Sequence, residues 1–423
     1  MTSRWQAAWG ELREAVGEHP HELSLLWLMG FLTLTSYGIA RPAAESLFLE
    51  AYTSARLPHV WVAVALGAAL VVAGYNRLAQ RLALDQVFGV VVGATLSLLA
   101  LLLVALRAGL PGATFALYAW KDLYIVVLVE TFWIYANCVF HVRAARWLYG
   151  LFLAAGTLGE ITGALAVGPL AARLGSRDSL WLVFPLLALA DLGSRRLARY
   201  GAPRPEREAT DWRGGLRLLL TSRYLGLLLL LVATVQLVAN LVDYEYNRVL
   251  EQAFVAPDVR TEVSGKIYAT ISAVAFTLQL ASPALLRYVG VVRTLVAVPV
   301  LIAAALASFV VAPRFATMGA AKVASKAFDY SLFRACKEIL YIPLPYREKT
   351  QGKAMVDILT YRVAKGVAAG VVRGLGAVSA GGWTTGLSLG LTLVWVGLTT
   401  AIGRRYRTAE RTEGAAAAAA AVT

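Results

Sequence analysis

The sequence predicts an all-α membrane protein in which twelve transmembrane helices form two pseudo-symmetric bundles of six. Three observations lead to this fold class: a high apolar content, apolar runs of span length, and positive charge concentrated in alternate loops. Of the 423 residues, 58% are hydrophobic and 16% are charged, whereas a soluble domain has about 25% charged residues. The length accommodates about twelve spans of about 20 residues each, joined by short loops.

The apolar runs define the spans and the division of the chain. The predicted spans cover residues 23–49, 59–76, 86–106, 114–139, 148–172, 179–197, 223–247, 264–286, 292–312, 315–341, 353–378 and 383–403. A charged, proline-containing linker separates the sixth span from the seventh, so each half holds six spans. The resulting parts are a cytoplasmic N-terminal segment, a first bundle, a cytoplasmic linker, a second bundle and a cytoplasmic tail, at residues 1–22, 23–197, 198–222, 223–403 and 404–423.

Basic residues fix the predicted orientation. Arginine and lysine accumulate in every second loop, including the linker, and are fewer in the intervening loops. Cytoplasmic loops carry this excess, so we expect a multi-pass protein with both termini in the cytoplasm. The net charge of +14 is then explained by basic loops beside anionic lipid, and no nucleic-acid partner is expected. The excess of arginine over lysine indicates a bacterial protein, and hence the inner (cytoplasmic) membrane.

A polar stripe follows one face of the predicted seventh span. At 100° per residue, Gln236, Asn240, Asp243 and Asn247 lie within about 60° of one another. Four polar side chains facing lipid would be costly, so the stripe faces either a water-filled cavity that binds solute or a neighbouring helix that it hydrogen-bonds.

Charged residues at helical spacing also follow the tenth span and continue into the eleventh. They are Lys322, Lys326, Asp329, Lys337, Asp357, Arg362 and Lys365. Two interpretations stay open: internal ion pairs that lock helices together, or a polar pathway. Once acids with local partners are set aside, the tenth span carries three lysines against Asp329 alone. That excess predicts that an anion binds near this span.

The first and fourth spans supply further candidates. Arg41 has the geometry to bind phosphate with two parallel hydrogen bonds, but it also has an acid, Glu45, one turn away. Glu130 and Asn137 share one face of the fourth span and are candidate substrate ligands. Lys121 lies near the outer end of that span and is interpreted as interfacial.

Two neighbouring segments carry a family resemblance. The run DYSLFRACKEILYIPLP at 329–345, followed by KTQGKAMVD at 349–357, resembles the best-preserved segment of the ATP:ADP antiporter family, the nucleotide transporters of plastids and obligate intracellular bacteria. The resemblance implies a fold related to the major facilitator superfamily. It also implies that Glu130, Asp243 and the Lys337–Glu338 pair occupy the positions of charged groups on which transport in that family relies.

The sequence departs from the family pattern at two places. The family has a lysine shortly after an arginine in its first span, whereas this chain reads Arg41-Pro-Ala-Ala-Glu45 and has alanine at that position. An Asp-Pro pair of the family is replaced by Arg334-Ala335. These departures bear on substrate choice and on strict ATP/ADP exchange.

The leading functional hypothesis is a secondary transporter that exchanges ATP, ADP or a related phosphorylated anion by alternating access. The alternatives are a membrane sensor or partner protein that has lost exchange, and a transporter of another organic anion. The sequence has no glycine-rich phosphate loop followed by Gly-Lys-Ser/Thr, no zinc-ligand cluster and no nucleophile elbow. We therefore expect no enzymatic activity, no cofactor and no metal, and a monomer in the lipid bilayer.

Overall fold

The computed structural model describes residues 20–139, 142–199, 221–341, 353–376 and 383–420, together with a few isolated positions. Within these ranges the secondary structure is helical and includes no β-strand. Most of the predicted N-terminal segment and most of the predicted linker lie outside the described residues.

Helices lie at each of the predicted spans within this part of the chain. Their bounds are α1 Pro20–Tyr52, α2 Leu57–Arg81, α3 Leu84–Arg107, α4 Ala113–Val139, α5 Val142–Leu174, α6 Val183–Ala198, α7 Arg223–Ala253, α8 Pro257–Tyr288, α9 Val291–Val311, α10 in three segments (Phe315–Phe328, a π-helical turn Asp329–Phe333, Arg334–Leu340), α11 Lys353–Gly376 and α12 Trp383–Ala420. Among the described residues, eight helices are long and apolar enough to cross a membrane. The all-helical, multi-pass membrane fold is confirmed, and the count of twelve transmembrane helices stays a prediction.

The chain divides into two compact units. The first comprises Met1–Thr53, Leu66–Arg207 and Phe254–Ala273, and the second comprises Ser54–Ala65, Glu208–Ala253 and Val274–Thr423. Within the first unit α1 packs on α4, α5 and α6, and α3 packs on α4 and α6. Within the second unit α7 packs on α10, α11 and α12, and α9 packs on α10 and α12. The helix six positions later therefore repeats each of these neighbours, as an internal structural repeat requires.

The most buried membrane-length helices of the two units, α1 and α7, both carry polar residues in their C-terminal halves. In the most apolar stretch of α1, 56% of residues are buried, and in that of α7 61% are, against 22–39% in the other membrane-length helices of the described chain. Because other helices cover much of α1 and α7, the polar side chains of these two helices need hydrogen-bond partners inside the protein rather than contact with lipid.

Small residues bring α1 and α5 into backbone contact. A Cβ atom added to Gly38 would lie 2.6 Å from the carbonyl oxygen of Glu160 and 2.8 Å from the amide nitrogen of Ala164. Gly159 and Gly163 of α5 meet the backbone of α1 in the same way. Glycine allows this close approach because it has no Cβ atom. Membrane helices associate through such close packing, since the hydrophobic effect does not drive helices together within lipid.

Candidate functional site

The second unit contains a buried cluster of one aspartate and two lysines. Lys322 and Lys326 lie four residues apart on α10 and therefore share one face of that helix. Asp243 of α7 contacts both: its Oδ2 lies 3.0 Å from Lys326 Nζ, and its Oδ1 contacts Lys322 Nζ. Lys322 is fully buried and Lys326 nearly so. Of the two interpretations of the tenth span, the ion pair between helices is therefore present.

Among the other polar side chains of the α7 stripe, one hydrogen-bonds to α10 and two hydrogen-bond to the backbone of α7 itself. The Gln236 amide donates to both oxygens of Asp329 on α10, at 3.2 and 3.4 Å. Asn240 and Asn247 each donate to a backbone carbonyl one turn earlier, both at 2.7 Å. The stripe is thus in part a hydrogen-bonded seam between α7 and α10. Asn240 and Asn247 lie about one turn before and one turn after Asp243 on the same helix face.

A π-helical turn interrupts α10 immediately after the two lysines. It spans Asp329–Phe333. The Gln279 side chain of α8 donates to the Tyr330 carbonyl at 3.0 Å, which satisfies a group within the wider turn. Such turns insert into α-helices frequently at functional sites. Uniform helical spacing gave no signal for this turn.

Lys337 lies beyond the π-helical turn and is buried, whereas its neighbour Glu338 is exposed. The two side chains are 3.9 Å apart at their charged atoms, and Glu338 also pairs with Lys353 of α11. The predicted divergence of Lys337 and Glu338 onto different faces agrees with this geometry.

The first unit contains a second charged cluster, centred on Glu45 of α1. Lys121 of α4 places Nζ 3.1 Å from Glu45 Oε1 and 2.8 Å from Asp122 Oδ1. The Tyr268 hydroxyl of α8 donates to Glu45 Oε2 at 2.6 Å. The interpretation of Lys121 as interfacial was wrong, since its side chain is 2% exposed. A lysine two turns inside an apolar helix was the sequence signal that a buried partner exists.

Arg41 belongs to the same cluster. Its Nε lies 3.5 Å from Glu45 Oε1, one helical turn along α1. Its guanidinium also lies over the ring of Tyr268, 3.9 Å from the ring centre, a cation–π contact. The structure thus gives Arg41 the local partner that competed with phosphate in the sequence interpretation.

The remaining candidates are distributed over α4 and α11. Glu130 is exposed on α4, and Lys365 is half-buried on α11. The side chains of Asn137, Asp357 and Arg362 lie outside the described part of the structure. Within the described residues no group of three or more histidine, cysteine or acidic side chains could hold a metal ion.

The electrostatics of the second-unit cluster differ from the expectation. The predicted positive excess on α10 counted Lys322, Lys326 and Lys337 against Asp329 alone. Asp243 lies on another helix yet pairs with the first two lysines. The Asp243 carboxylate therefore contacts two ammonium groups, and a count made along α10 alone leaves out its negative charge.

Comparison with known proteins shows which family part of the chain resembles. The family described as TLC ATP/ADP transporter matches residues 200–397, a range that contains Asp243 and all of α10. A plastidic ATP/ADP-transporter of Solanum tuberosum is 29% identical over 170 residues, which cover 36% of this chain and 27% of that protein. ADP,ATP carrier protein 1 of Chlamydia trachomatis is 34% identical over 89 residues, 20% of this chain and 17% of that protein. The resemblance to the ATP:ADP antiporter family is confirmed.

The sequence match to the ATP:ADP antiporter relatives is partial, while the structural match is nearly complete. The aligned segments span less than a third of the length of these two carriers. A crystal structure of a mutant of the nucleoside transporter NupG superposes with a TM-score of 0.66 at 13% identity, covering 92% of this chain and 99% of that one. At this identity the likeness concerns the fold alone.

Proposed function

We propose that the protein is a secondary transporter that exchanges nucleotides, ATP, ADP or a related phosphorylated anion, by alternating access. The observation that carries the proposal is the buried Asp243–Lys322–Lys326 cluster inside the segment that matches the ATP/ADP transporter family. Buried lysines in a membrane helix are costly and mark solute or ion pathways. Two lysines four residues apart suit the oxygens of a phosphate group.

The proposed site includes the predicted ligands around this cluster. Lys322, Lys326 and Lys337 would supply the positive potential. Asp243 and Asn247 would hold the less charged part of the solute or gate its release, and Asn240 would be a further ligand. Glu130 is proposed as a gating charge on α4, and Lys365 on α11 as a further cation of the pathway. We also keep Arg41, Asn137, Asp357 and Arg362 as proposed substrate-binding residues.

Counterflow in proteoliposomes tests the function. Full-length protein is reconstituted into vesicles loaded with ADP, and uptake of labelled nucleotides and organic phosphates is measured with and without the internal nucleotide. Internal ADP should accelerate uptake several-fold. Lys322→Met should abolish the acceleration, whereas Lys266→Met should keep it, because Lys266 forms an exposed pair with Glu262 on α8. Transport of a neutral or cationic solute without any anion would refute the proposal.

A transporter of another organic anion is the second candidate. The observation in its favour is the pair of departures from the family pattern, Ala44 in the first span and Arg334-Ala335 in the tenth. The organic phosphates and carboxylates in the same uptake panel decide between the two. A protein that binds nucleotide without exchanging it would instead fit a sensor.

We further propose the inner membrane of a bacterium as its location, with both termini in the cytoplasm. The distribution of basic residues among loops supports this orientation. A monomer without nucleic-acid partners and without enzymatic activity completes the proposal.

A further inference from the structure

A buried arginine near the start of α8 has hydrogen-bond donors that the protein does not use. Arg260 is 5% exposed, and its Nη2 donates to the backbone carbonyl of Val255. Among the described residues, neither its Nε nor its Nη1 has a hydrogen-bond partner. Nε carries one N–H and Nη1 carries two, so most of the five donors of this guanidinium are buried without an acceptor from the protein.

The acids of α8 on either side of Arg260 are bonded elsewhere. Asp258 Oδ1 accepts from the backbone nitrogen and the Oγ of Ser176, at 2.7 and 2.6 Å. Glu262 pairs with Lys266. Both acids lie two residues from Arg260, which places them about 160° away from it around the helix. Neither acid therefore compensates the guanidinium.

The acids of the elements packed against this part of α8 are also bonded elsewhere. Glu45 of α1 pairs with a lysine of α4, Glu160 of α5 hydrogen-bonds to Ser272, and Asp178 pairs with two arginines outside α8. Within the described part of the chain Arg260 thus has no ion-pair partner. An arginine cannot lose its proton in a protein, so its charge persists although it is buried. A buried charge is costly unless an opposite charge compensates it.

Ser264 supplies a second buried donor on the same helix. It is 1% exposed, and its Oγ has no hydrogen-bond partner among the residues that the structure describes. Four residues separate it from Arg260, so the two side chains share one face of α8. The helix begins at Pro257, and the N-terminal end of a helix carries a positive partial charge that favours an anion and disfavours a cation. Arg260, Ser264 and the helix end therefore all favour the same kind of ligand.

We infer that Arg260 and Ser264 form a binding site for a phosphate group beside the first turns of α8. A phosphate supplies the negative charge that the guanidinium requires. Its three terminal oxygens offer more acceptors to the free N–H groups and the serine hydroxyl than the two oxygens of a carboxylate do. Water satisfies buried donors but does not neutralise a buried charge.

The site is separate from the charged cluster of the second unit and lies next to that of the first. On the same face of α8, Tyr268 follows Ser264 by four residues. Its hydroxyl donates to Glu45 Oε2, and its ring lies under the Arg41 guanidinium. Arg260 and Tyr268 are about 12 Å apart along the helix axis, at 1.5 Å per residue. All of these residues belong to the first unit, so the inference does not depend on the proposed role of the second-unit cluster.

Thermal stability of the purified full-length protein in detergent tests the site. Sodium phosphate is the probe, and sodium chloride at equal ionic strength is the reference. At about 100 times its Kd, phosphate should raise the apparent melting temperature of the unmodified protein by about 3 °C. Equal melting temperatures in chloride and in phosphate would overturn the inference.

Arg260→Met removes the guanidinium and keeps a long side chain, so it should abolish the rise in phosphate. Arg177→Met is the matched control, because Arg177 is a well-exposed arginine that pairs with Asp178, and it should keep the rise. A full response to phosphate in Arg260→Met shows that the ion binds elsewhere and refutes the assignment.

Ser264→Ala covers the case in which Arg260→Met does not fold. It removes one hydroxyl, and the loss of a hydrogen bond to a charged group should weaken phosphate binding by about tenfold. Thr270→Ala is its control, because the Thr270 hydroxyl is exposed and donates to the carbonyl of Lys266 on its own helix. Unchanged phosphate affinity in Ser264→Ala contradicts the site.

Binding of labelled phosphate separates this site from the proposed nucleotide site. Binding should survive in Lys322→Met, which removes a lysine of the second-unit cluster, and should be lost in Arg260→Met; the reverse pattern would refute the inference. In Lys322→Met, displacement of the label by ADP assigns the site to the phosphate group of a nucleotide, and retention of the label assigns it to free phosphate. Phosphate binding without any ADP exchange would remove the proposed function and leave this inference in place.

Discussion

Replacement of Glu45 by glutamine tests whether the charged cluster of the first unit stabilises the fold. At 3.1 Å, the distance between Lys121 Nζ and Glu45 Oε1, two unit charges attract by about 5 kcal/mol at an effective dielectric of about 20. Breaking one partner of a buried pair costs about 3–5 kcal/mol, since a charge is left uncompensated. Asp122 remains 2.8 Å from Lys121, so we expect a loss near the lower end, about 3 kcal/mol.

The measurement is the apparent melting temperature of purified protein in detergent. It is read as the temperature at which half of the monodisperse elution peak is lost. Glu45→Gln should lower it by about 3–4 °C. Glu262→Gln is the control. Glu262 pairs with Lys266 four residues away, as Glu45 pairs with Arg41, but both side chains of the Glu262–Lys266 pair are well exposed. An exposed pair is worth about 0.3–0.5 kcal/mol, so this variant should melt within about 1 °C of the unmodified protein. Equal shifts for the two variants would refute the assignment of stability to the Glu45 cluster.

Three further outcomes are expected. Lys337→Ala should reduce nucleotide exchange far more than protein level, while Lys353→Ala, which removes a partly exposed lysine, should retain most of the exchange; normal uptake and affinity in Lys337→Ala would contradict the proposed role. A cysteine at Arg207 should resist an impermeant thiol reagent applied to whole cells, and labelling from outside would invert the orientation. Gly38→Val should lower the stability and yield of folded protein, since overpacking against a backbone costs about 1–3 kcal/mol or more. Gly150→Ala, with nothing within 4 Å, should be tolerated, and an equally stable Gly38→Val would argue against the close helix contact.

The helices of the fold could be predicted from the sequence because each one is determined by its own stretch of residues. A helix in a bilayer must bond its own backbone, so an apolar run of span length has few alternatives. The structure extends several of the predicted runs: the first predicted span, 23–49, becomes Pro20–Tyr52, and the last, 383–403, continues to Ala420. Helices continue past the apolar stretch where polar residues are good helix formers, and alanine, which fills 415–420, is the best of them.

The candidate site was accessible only in part, because helical spacing gives the face of a residue but not the element opposite. The lysines of α10 and the polar stripe of α7 were predicted to face inward, and both are largely buried. Their mutual contact was not predicted, since Asp243 and Lys322 are far apart in the chain. The same reason accounts for Lys121, whose partner Glu45 lies on α1.

Counting charges helix by helix therefore left out one negative charge. Asp243 lies on α7, and its carboxylate contacts both Lys322 and Lys326 of α10. The electrostatic potential at buried lysines depends on the acids of every helix packed against them, because each of those acids lies in the same low-dielectric surroundings. A sum taken along the tenth span alone therefore overstates the positive charge that a solute would meet there.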